Sequence, residues 1–311
     1  MLKKKIIFLV GPTAIGKSAI AIHLAKKINA EIISCDSMQV YGSMDIVTSQ
    51  PSWPQRKKIK HHLLSVIDPV KEYNVARYRK DAMSICNKLF LRNKIPLFVG
   101  GTGLYYSIII DGLFPSVPED KLIRARIYKQ LSLKGNKYLH RKLAKVDPLS
   151  AKKIHPNDTR RIIRALEVYM KTGLPISILQ KNRVGLGNEY EIKIFALNTD
   201  RQALYNKIDQ RVNKMFSSGL IKDVRRLLKH KLSKTATCAI GIRELEGYFN
   251  GEHSLDEAKR LIQVNSRHYA KRQLTWFRKD KRIEWVNIKK KETPGEVAKR
   301  IYKFLSSFVK E

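Results

Sequence analysis

Residues 11–18 read GPTAIGKS and follow directly on the apolar run Ile6-Ile7-Phe8-Leu9-Val10. A buried strand opening into G-x4-G-K-[ST] is the pattern of a phosphate-binding loop, and the chemistry follows from the residue types. Gly11 and Gly16 let the backbone turn tightly and approach oxygen atoms with no Cβ in the way. The N–H groups of the loop and of the next helix's first turn converge on an anion, Lys17 adds a point charge, and Ser18 offers a hydroxyl to Mg²⁺. The whole loop is the candidate phosphate site: Gly11, Pro12, Thr13, Ala14, Ile15, Gly16, Lys17 and Ser18, with Thr13 and Lys17 also taken as catalytic candidates. Ile20, Leu24 and Ile28 then recur at helical spacing, so the strand–loop–helix context is complete.

Such a loop usually serves ATP or GTP hydrolysis, which calls for an apolar strand ending in an Asp that holds the nucleotide's metal. The matching strand here ends Leu97-Phe98-Val99-Gly100-Gly101-Thr102-Gly103, with glycines where the acid belongs. The loop is therefore expected to hold a diphosphate that is not hydrolysed as part of a nucleoside triphosphate. An acid stands elsewhere, in Ser34-Cys35-Asp36-Ser37-Met38-Gln39 after the strand signal of residues 31–34. In a doubly wound sheet the loops that follow strands gather at one edge, so Asp36 would face the phosphate loop. A turn or helix cap is the other reading of a lone Asp after a strand; the polar string around it favours function.

The elements that must position these groups point to an α/β fold, a P-loop NTPase-like parallel sheet with helices on both faces. The strand signals are 6–10, 31–34, 96–99 and 192–197, with 282–286 as a late edge strand. Between 120 and 183 that signal is replaced by helical patterns at 122–134, 137–145, 148–154 and 159–171, and Gly185-Leu186-Gly187-Asn188 reads as a return hinge. The organisation expected is a catalytic core of residues 1–119 and 189–311, interrupted by an all-helical insertion of residues 120–188. Three further helices, 201–217, 220–229 and 255–277, follow the last core strand.

The 62 Lys and Arg against 27 Asp and Glu leave a formal charge of +35. A field of that size attracts polyanions, and nucleic acid is the expected partner. Two helices carry the charge in stripes. One starts at Asp158 as N-cap, with Ile162, Leu166 and Tyr169 as its apolar face and Arg160, Arg164 and Lys171 on another. The second starts with a capping box, Ser254 and Glu257, and then repeats Arg260, Arg267, Lys271 and Arg278 over five turns, a basic line about 27 Å long that can track a phosphate backbone. Tyr269, Trp276 and Phe277 lie off that line and read as core. Cys35, Cys86 and Cys238 are far apart with no C-x2-C, which argues against zinc and disulfides and suits a reducing cytoplasm. His61-His62 lacks a third ligand nearby and reads as structural. The apolar run at the start is too short for a signal peptide, and no stretch of about 18 apolar residues marks a membrane span.

Six ordered motifs carry a resemblance. GPTAIGKS, DSMQVYGSMDIVTSQP, HHLL with a following Asp-Pro, VGGTGLY, DTRRIIRALEVY and KRQLTWFR span residues 11–278 and together resemble the bacterial tRNA dimethylallyltransferases, also called tRNA isopentenyltransferases. The resemblance implies a cytoplasmic prenyltransferase, acting as a monomer with Mg²⁺, that moves a dimethylallyl group from its diphosphate to N6 of the adenosine just 3′ of the anticodon. Asp36 would be the general base, and the phosphate loop with Arg211 would hold the leaving diphosphate. A solvated helix face is the other reading of Arg211. The insertion would clasp the anticodon stem-loop, and the target base would be flipped out of its stack.

The same resemblance assigns RNA contacts to Asp36, Ser37, Met38 and Gln39, the last of a type that reads an adenine edge. It adds Thr102, which could equally cap a helix, and Arg124. Arg160, Arg161, Ile162, Ile163 and Arg164 follow, then Cys238, Ala239, Ile240, Gly241, Ile242 and Arg243. The last group is Arg267 with Lys271, Arg272, Gln273, Leu274, Thr275, Trp276, Phe277 and Arg278. The chain departs from the family where Cys238 replaces Gln or Arg and Ile242 replaces Tyr. Two rivals share the loop. A small-molecule nucleotide kinase would need no RNA stripes. A non-catalytic RNA-binding or GTPase-like module would leave Asp36 without a role and would carry a base-reading motif such as Asn-Lys-x-Asp, and neither Asn87-Lys88 nor Asn206-Lys207 continues that way.

Overall fold

A computed structural model of the chain describes residues 3–114 and 117–310. Six strands form one sheet: β1 Lys4–Val10, β2 Ala30–Ser34, β3 His61–His62, β4 Ile95–Gly100, β5 Tyr190–Asn198 and β6 Glu284–Asn287, in the order β3-β2-β4-β1-β5-β6. Every pairing is parallel, with β1 at the centre between β4 (Ile7 beside Leu97) and β5 (Ile7 beside Lys193). The continuous apolar run of β1 has this cause. A parallel strand is buried on both faces, so no polar alternation is tolerated.

Successive side chains sort to the two faces. Ile7, Leu9, Leu97, Val99, Phe195 and Leu197 pack with the helices Lys17–Lys27 and Pro294–Lys310. On the other face Phe8 stacks on Phe98 and meets Tyr106 edge-on, and Tyr106 meets Phe277 of the long helix Leu255–Phe277. The terminal helix Pro294–Lys310 adds to the helices expected from the sequence. Its Val297, Ala298, Ile301, Leu305 and Phe308 recur at helical spacing and are all buried. The pair His61-His62 is an edge strand rather than a ligand set. His62 Nε2 lies 2.7 Å from Glu31, whose carboxylate also takes Arg92.

The chain divides into two compact units, 1–109 with 188–311, and 110–187. Among its described residues the second has helices as its only regular elements, apart from one isolated bridge between Leu113 and Val184. Its long helix Lys121–Val146 is interrupted at Gly135, whose φ of 72° breaks the helical run between the two predicted segments. Asp120, Asp147 and Asp158 each cap a helix with a side-chain oxygen. Ile127, Leu139, Leu143, Ile162, Leu166 and Val168 form a core of their own.

Candidate active site

The phosphate loop leaves β1 at Gly11. Its φ is 148°, and a Cβ there would lie 3.0 Å from the carbonyl oxygen of Leu197 in β5, so the turn demands glycine on both counts. Gly16 takes the left-handed conformation at the N-cap of Lys17–Lys27. Lys17 curls back over the loop, its Nζ donating to the carbonyls of Gly11 (2.9 Å) and Pro12 (2.8 Å). Burial lowers its pKa to about 8, with Asp36 pulling it upward and Arg211 pressing it down. Arg211 is half-buried and turned toward the loop. It projects from the inward face of Arg201–Ser217 beside Ile208 and Val212 and donates to Thr13 Oγ1 and, at 2.9 Å, to Ser49 Oγ. Desolvation lowers its pKa while Asp36 raises it. The solvated-face reading of Arg211 is thereby excluded. Two desolvated cations and one carboxylate share this region, which therefore favours an anion.

Asp36 stands just past β2. Its Oδ1 accepts from the Met38 N–H at 2.9 Å, a turn that leaves Oδ2 without a protein partner among the described residues. Thr102 anchors the same turn. Its hydroxyl accepts from the Ser37 N–H at 3.0 Å, and its own N–H donates to the Cys35 carbonyl. It serves the Asp36 loop rather than capping the helix Gly103–Ile110 with its side chain. The glycines that displace the expected acid also gain a reason. A Cβ on Gly100 would sit 2.0 Å from the Cys35 carbonyl oxygen, on Gly101 2.0 Å from Gln273 Nε2, and on Gly103 2.4 Å from the Trp276 ring. They let the Asp36 loop and the Leu255–Phe277 helix close onto β4.

Two cavities meet here and share Thr13, Ala14, Asp36, Arg211 and Met215. The larger, about 790 Å³, is the more polar of the two and takes in Gly16, Lys17, Ser18 and Gln39, with Lys207 and Lys214 of Arg201–Ser217 along one side. The smaller, about 300 Å³, is walled by Val47, Ile208, Val212, Ile240 and Ile262, with Tyr269 and Arg272 at its side. A charged chamber and an apolar chamber joined at a carboxylate suit the transfer of an apolar group from a phosphorylated donor. Gln39 lines the larger chamber, its Oε1 accepting from Ser34 and its Nε2 donating to the Ser49 carbonyl, both at long range.

The structure revises the surface assignments. On Leu255–Phe277, Ser254 caps through its hydroxyl, but Glu257 turns to a bidentate pair with Arg260 instead of closing the box. Arg267 is paired with Asp209 at 2.6 Å. Lys271 and Arg278 are exposed with no acid partner among the described residues, so the free part of the basic line is its C-terminal half. Arg272 and Thr275 are exposed with them, and so is Trp276, which is 45% accessible and not a core residue. Gln273 and Phe277 are buried, so their side chains are withheld from RNA, and Leu274 is half-buried.

In the segment before it, Cys238 and Arg243 are exposed and Ile240 lines the apolar chamber. Ala239 is buried, Gly241 is a left-handed N-cap, and Ile242 is wholly buried.

In the helical unit, Ile162 and Ile163 are core, again closed to RNA. Arg124 and Arg164 converge on Glu167, which is 0% exposed: Arg124 bidentate at 3.0 and 3.1 Å, Arg164 at 2.7 Å. Only Arg160 and Arg161 of that stretch stand exposed. Sequence reasoning missed Ser49, Glu167, Tyr269 and Gln273 as partners within these clusters. The last two carry a signal, for Ile262, Tyr269, Gln273 and Phe277 recur at helical spacing, and one amide on an inward stripe needs a partner.

Two family profiles match this chain, IPP transferase over residues 39–280 and isopentenyl transferase over residues 4–64. It is 46% identical over 288 residues to the tRNA dimethylallyltransferase of Carboxydothermus hydrogenoformans, covering 92% of this chain and 93% of that one. To that of Halothermothrix orenii it is 42% identical over 309 residues, covering 97% and 94%. Its structure is similar to the full-length tRNA isopentenylpyrophosphate transferase of Bacillus halodurans, with a TM-score of 0.73, 34% identity and coverage of 99% and 97%. It is similar too to a eukaryotic dimethylallyltransferase acting on tRNA, with a TM-score of 0.81, 28% identity and coverage of 99% and 80%.

Proposed function

The chain belongs to the IPP transferase family of tRNA dimethylallyltransferases, and we propose from its site how it carries out that transfer. It is a prenyltransferase acting on tRNA. The donor is dimethylallyl diphosphate, and the acceptor is N6 of the adenosine immediately 3′ of the anticodon. The phosphate loop, Lys17 and Arg211 bind the diphosphate in the polar chamber, which directs the allylic C1 toward the carboxylate where the chambers join. N6 attacks C1, the C1–O bond breaks, the bonding pair leaves with the diphosphate, and Asp36 takes the proton that N6 sheds. The products are N6-dimethylallyladenosine and diphosphate. Lys17 and Arg211 stabilise the charge developing on the leaving group, and their desolvation strengthens that interaction.

Mg²⁺ fits this site through oxygen donors. Ser18 and Asp36 line the same chamber as the loop, and no group of three or more His, Cys, Asp or Glu occurs among the described residues, so the ion would be held largely by the diphosphate and water. When bound it supplies positive charge to the leaving group. The adenine must leave its stack to reach Asp36. Exposed Lys271, Arg272, Arg278 and Arg243 on the catalytic unit and Arg160 and Arg161 on the helical unit are the phosphate contacts we propose for the stem-loop, with the helical unit as a clasp. The working form is taken as a monomer in the cytoplasm; no helix among the described residues is long and apolar enough to cross a membrane.

The observation that carries this reading is the meeting of the charged and apolar chambers at Asp36. Its test is transfer of labelled dimethylallyl diphosphate to unmodified tRNA with Mg²⁺. Label in RNA with the native protein is the expected result. ATP or GTP turnover with no label in RNA would move the protein to the kinase or GTPase reading.

A further inference from the structure

Gln273 is buried on a helix whose neighbouring positions 271, 272, 275 and 276 are exposed. Both ends of its amide are spent on the active site. Oε1 accepts the Thr13 N–H at 2.8 Å, and Nε2 donates to the Gly101 carbonyl at 2.9 Å. Gly101 leaves room for this amide, since a Cβ there would fall 2.0 Å from Nε2. One side chain thus ties the RNA-facing helix to the phosphate loop and to the turn after β4. The Thr13 N–H is committed to the protein, so what Thr13 presents at the junction of the chambers is its hydroxyl, already paired with Arg211.

A neutral amide is the group this place requires. It offers an acceptor and a donor together, whereas Glu would bring a negative charge against a carbonyl beside an anion site, and Met would leave both partners unpaired.

We propose that Gln273 is a positioning residue for the donor. By fixing the Thr13 backbone it sets the Thr13–Arg211 pair against the diphosphate. The proposal rests on the phosphate loop being the donor site. Its structural rival is simple core packing, which would affect both substrates alike.

The experiment is steady-state transfer by Gln273→Met, Thr13→Ala and the double variant, each checked for an intact thermal transition. Gln273→Met should raise the donor KM about tenfold, the size expected when a buried donor loses its partner, and leave the tRNA KM within about twofold. On the Thr13→Ala background it should add less than about twofold, because no hydroxyl remains to be placed. Equal shifts in both KM values, or single effects that multiply in the double variant, would overturn the proposal. Amide exchange of the native protein gives a check that needs no variant: the Thr13 N–H should exchange slowly without ligand, and exchange at the rate of an open loop would overturn it too. Inorganic diphosphate separates the underlying reading. If it fails to compete with the donor in the native protein, the donor-site assignment falls whatever Gln273 does.

Discussion

Holding Lys17 at about 8 makes donor capture depend on pH in a range where most lysines stay charged. The diphosphate needs the ammonium form, which dominates below 8. From pH 7 to pH 9 the charged fraction falls from about nine-tenths to about one-tenth, so kcat/KM for the donor should fall about tenfold, equivalent to ~1.4 kcal/mol of binding. That ratio reports the free protein, whereas kcat at saturating donor should change less, since a bound diphosphate pulls the lysine upward. Stability moves the other way. The folded-state value lies below the ordinary 10.5, so between 8 and 10.5 the native state binds fewer protons than the unfolded chain and Lys17 contributes a gain in stability as pH rises. The titration of Lys17 therefore does not itself destabilise the fold in this range. The assay is initial-rate transfer from limiting labelled donor to saturating unmodified tRNA at constant ionic strength, run beside Lys17→Arg, whose guanidinium stays charged throughout. The variant should show a lower and flat profile. A native profile that stays level through pH 9, or the same fall in Lys17→Arg, refutes the assignment of the titrating group.

Asp36→Asn keeps an acceptor for the Met38 N–H but removes the base, so single-turnover transfer should slow by roughly 10²–10⁴ with tRNA binding unchanged; loss of binding would make Asp36 structural. Removing Lys271 and Arg278 together should flatten the salt dependence of tRNA binding by about 0.7–0.9 for each phosphate no longer neutralised. Arg267→Ala should leave that slope intact and lower the thermal midpoint instead, because it strands Asp209. Glu167→Ala takes from Arg164 its carboxylate partner and leaves Arg124 with Glu119 alone, and should cost about 2 kcal/mol in denaturant titrations. Burial raises the Glu167 pKa, but bonds from Arg124, the Asp120 N–H and Arg164 outweigh it and hold the carboxyl below 4.5. Its stabilisation is thus present above 4.5 and fades as pH falls below. Glu167→Ala should lose that part of the acid sensitivity of unfolding.

Local chemistry is what the residues state by themselves. The apolar run of β1, the glycines and lysine of the loop, and an acid after β2 specify an anion site at the edge of a parallel sheet, because turn geometry, charge and strand burial are short-range properties of consecutive residues. The helices of residues 120–183 are legible for the same reason, down to the interruption at Gly135. The terminal helix Pro294–Lys310 carries the same kind of apolar spacing but is not among the helices expected from the sequence.

What no local pattern contains is the partner of each charge. Arg260, Arg267, Arg124 and Arg164 look like one kind of residue in the sequence. Folding paired Arg260 with Glu257 three residues away, brought Asp209 to Arg267, and sent Arg124 and Arg164 to Glu167, leaving Lys271 and Arg278 free of acid partners among the described residues. Likewise the glycines after β4 say only that a side chain is absent, and the tertiary structure alone supplies the Cys35 carbonyl, Gln273 and Trp276 that occupy the space. A side chain's environment is set by atoms distant in the chain. The sequence therefore determined which chemistry the protein can do, and packing decided which residues are left available to do it.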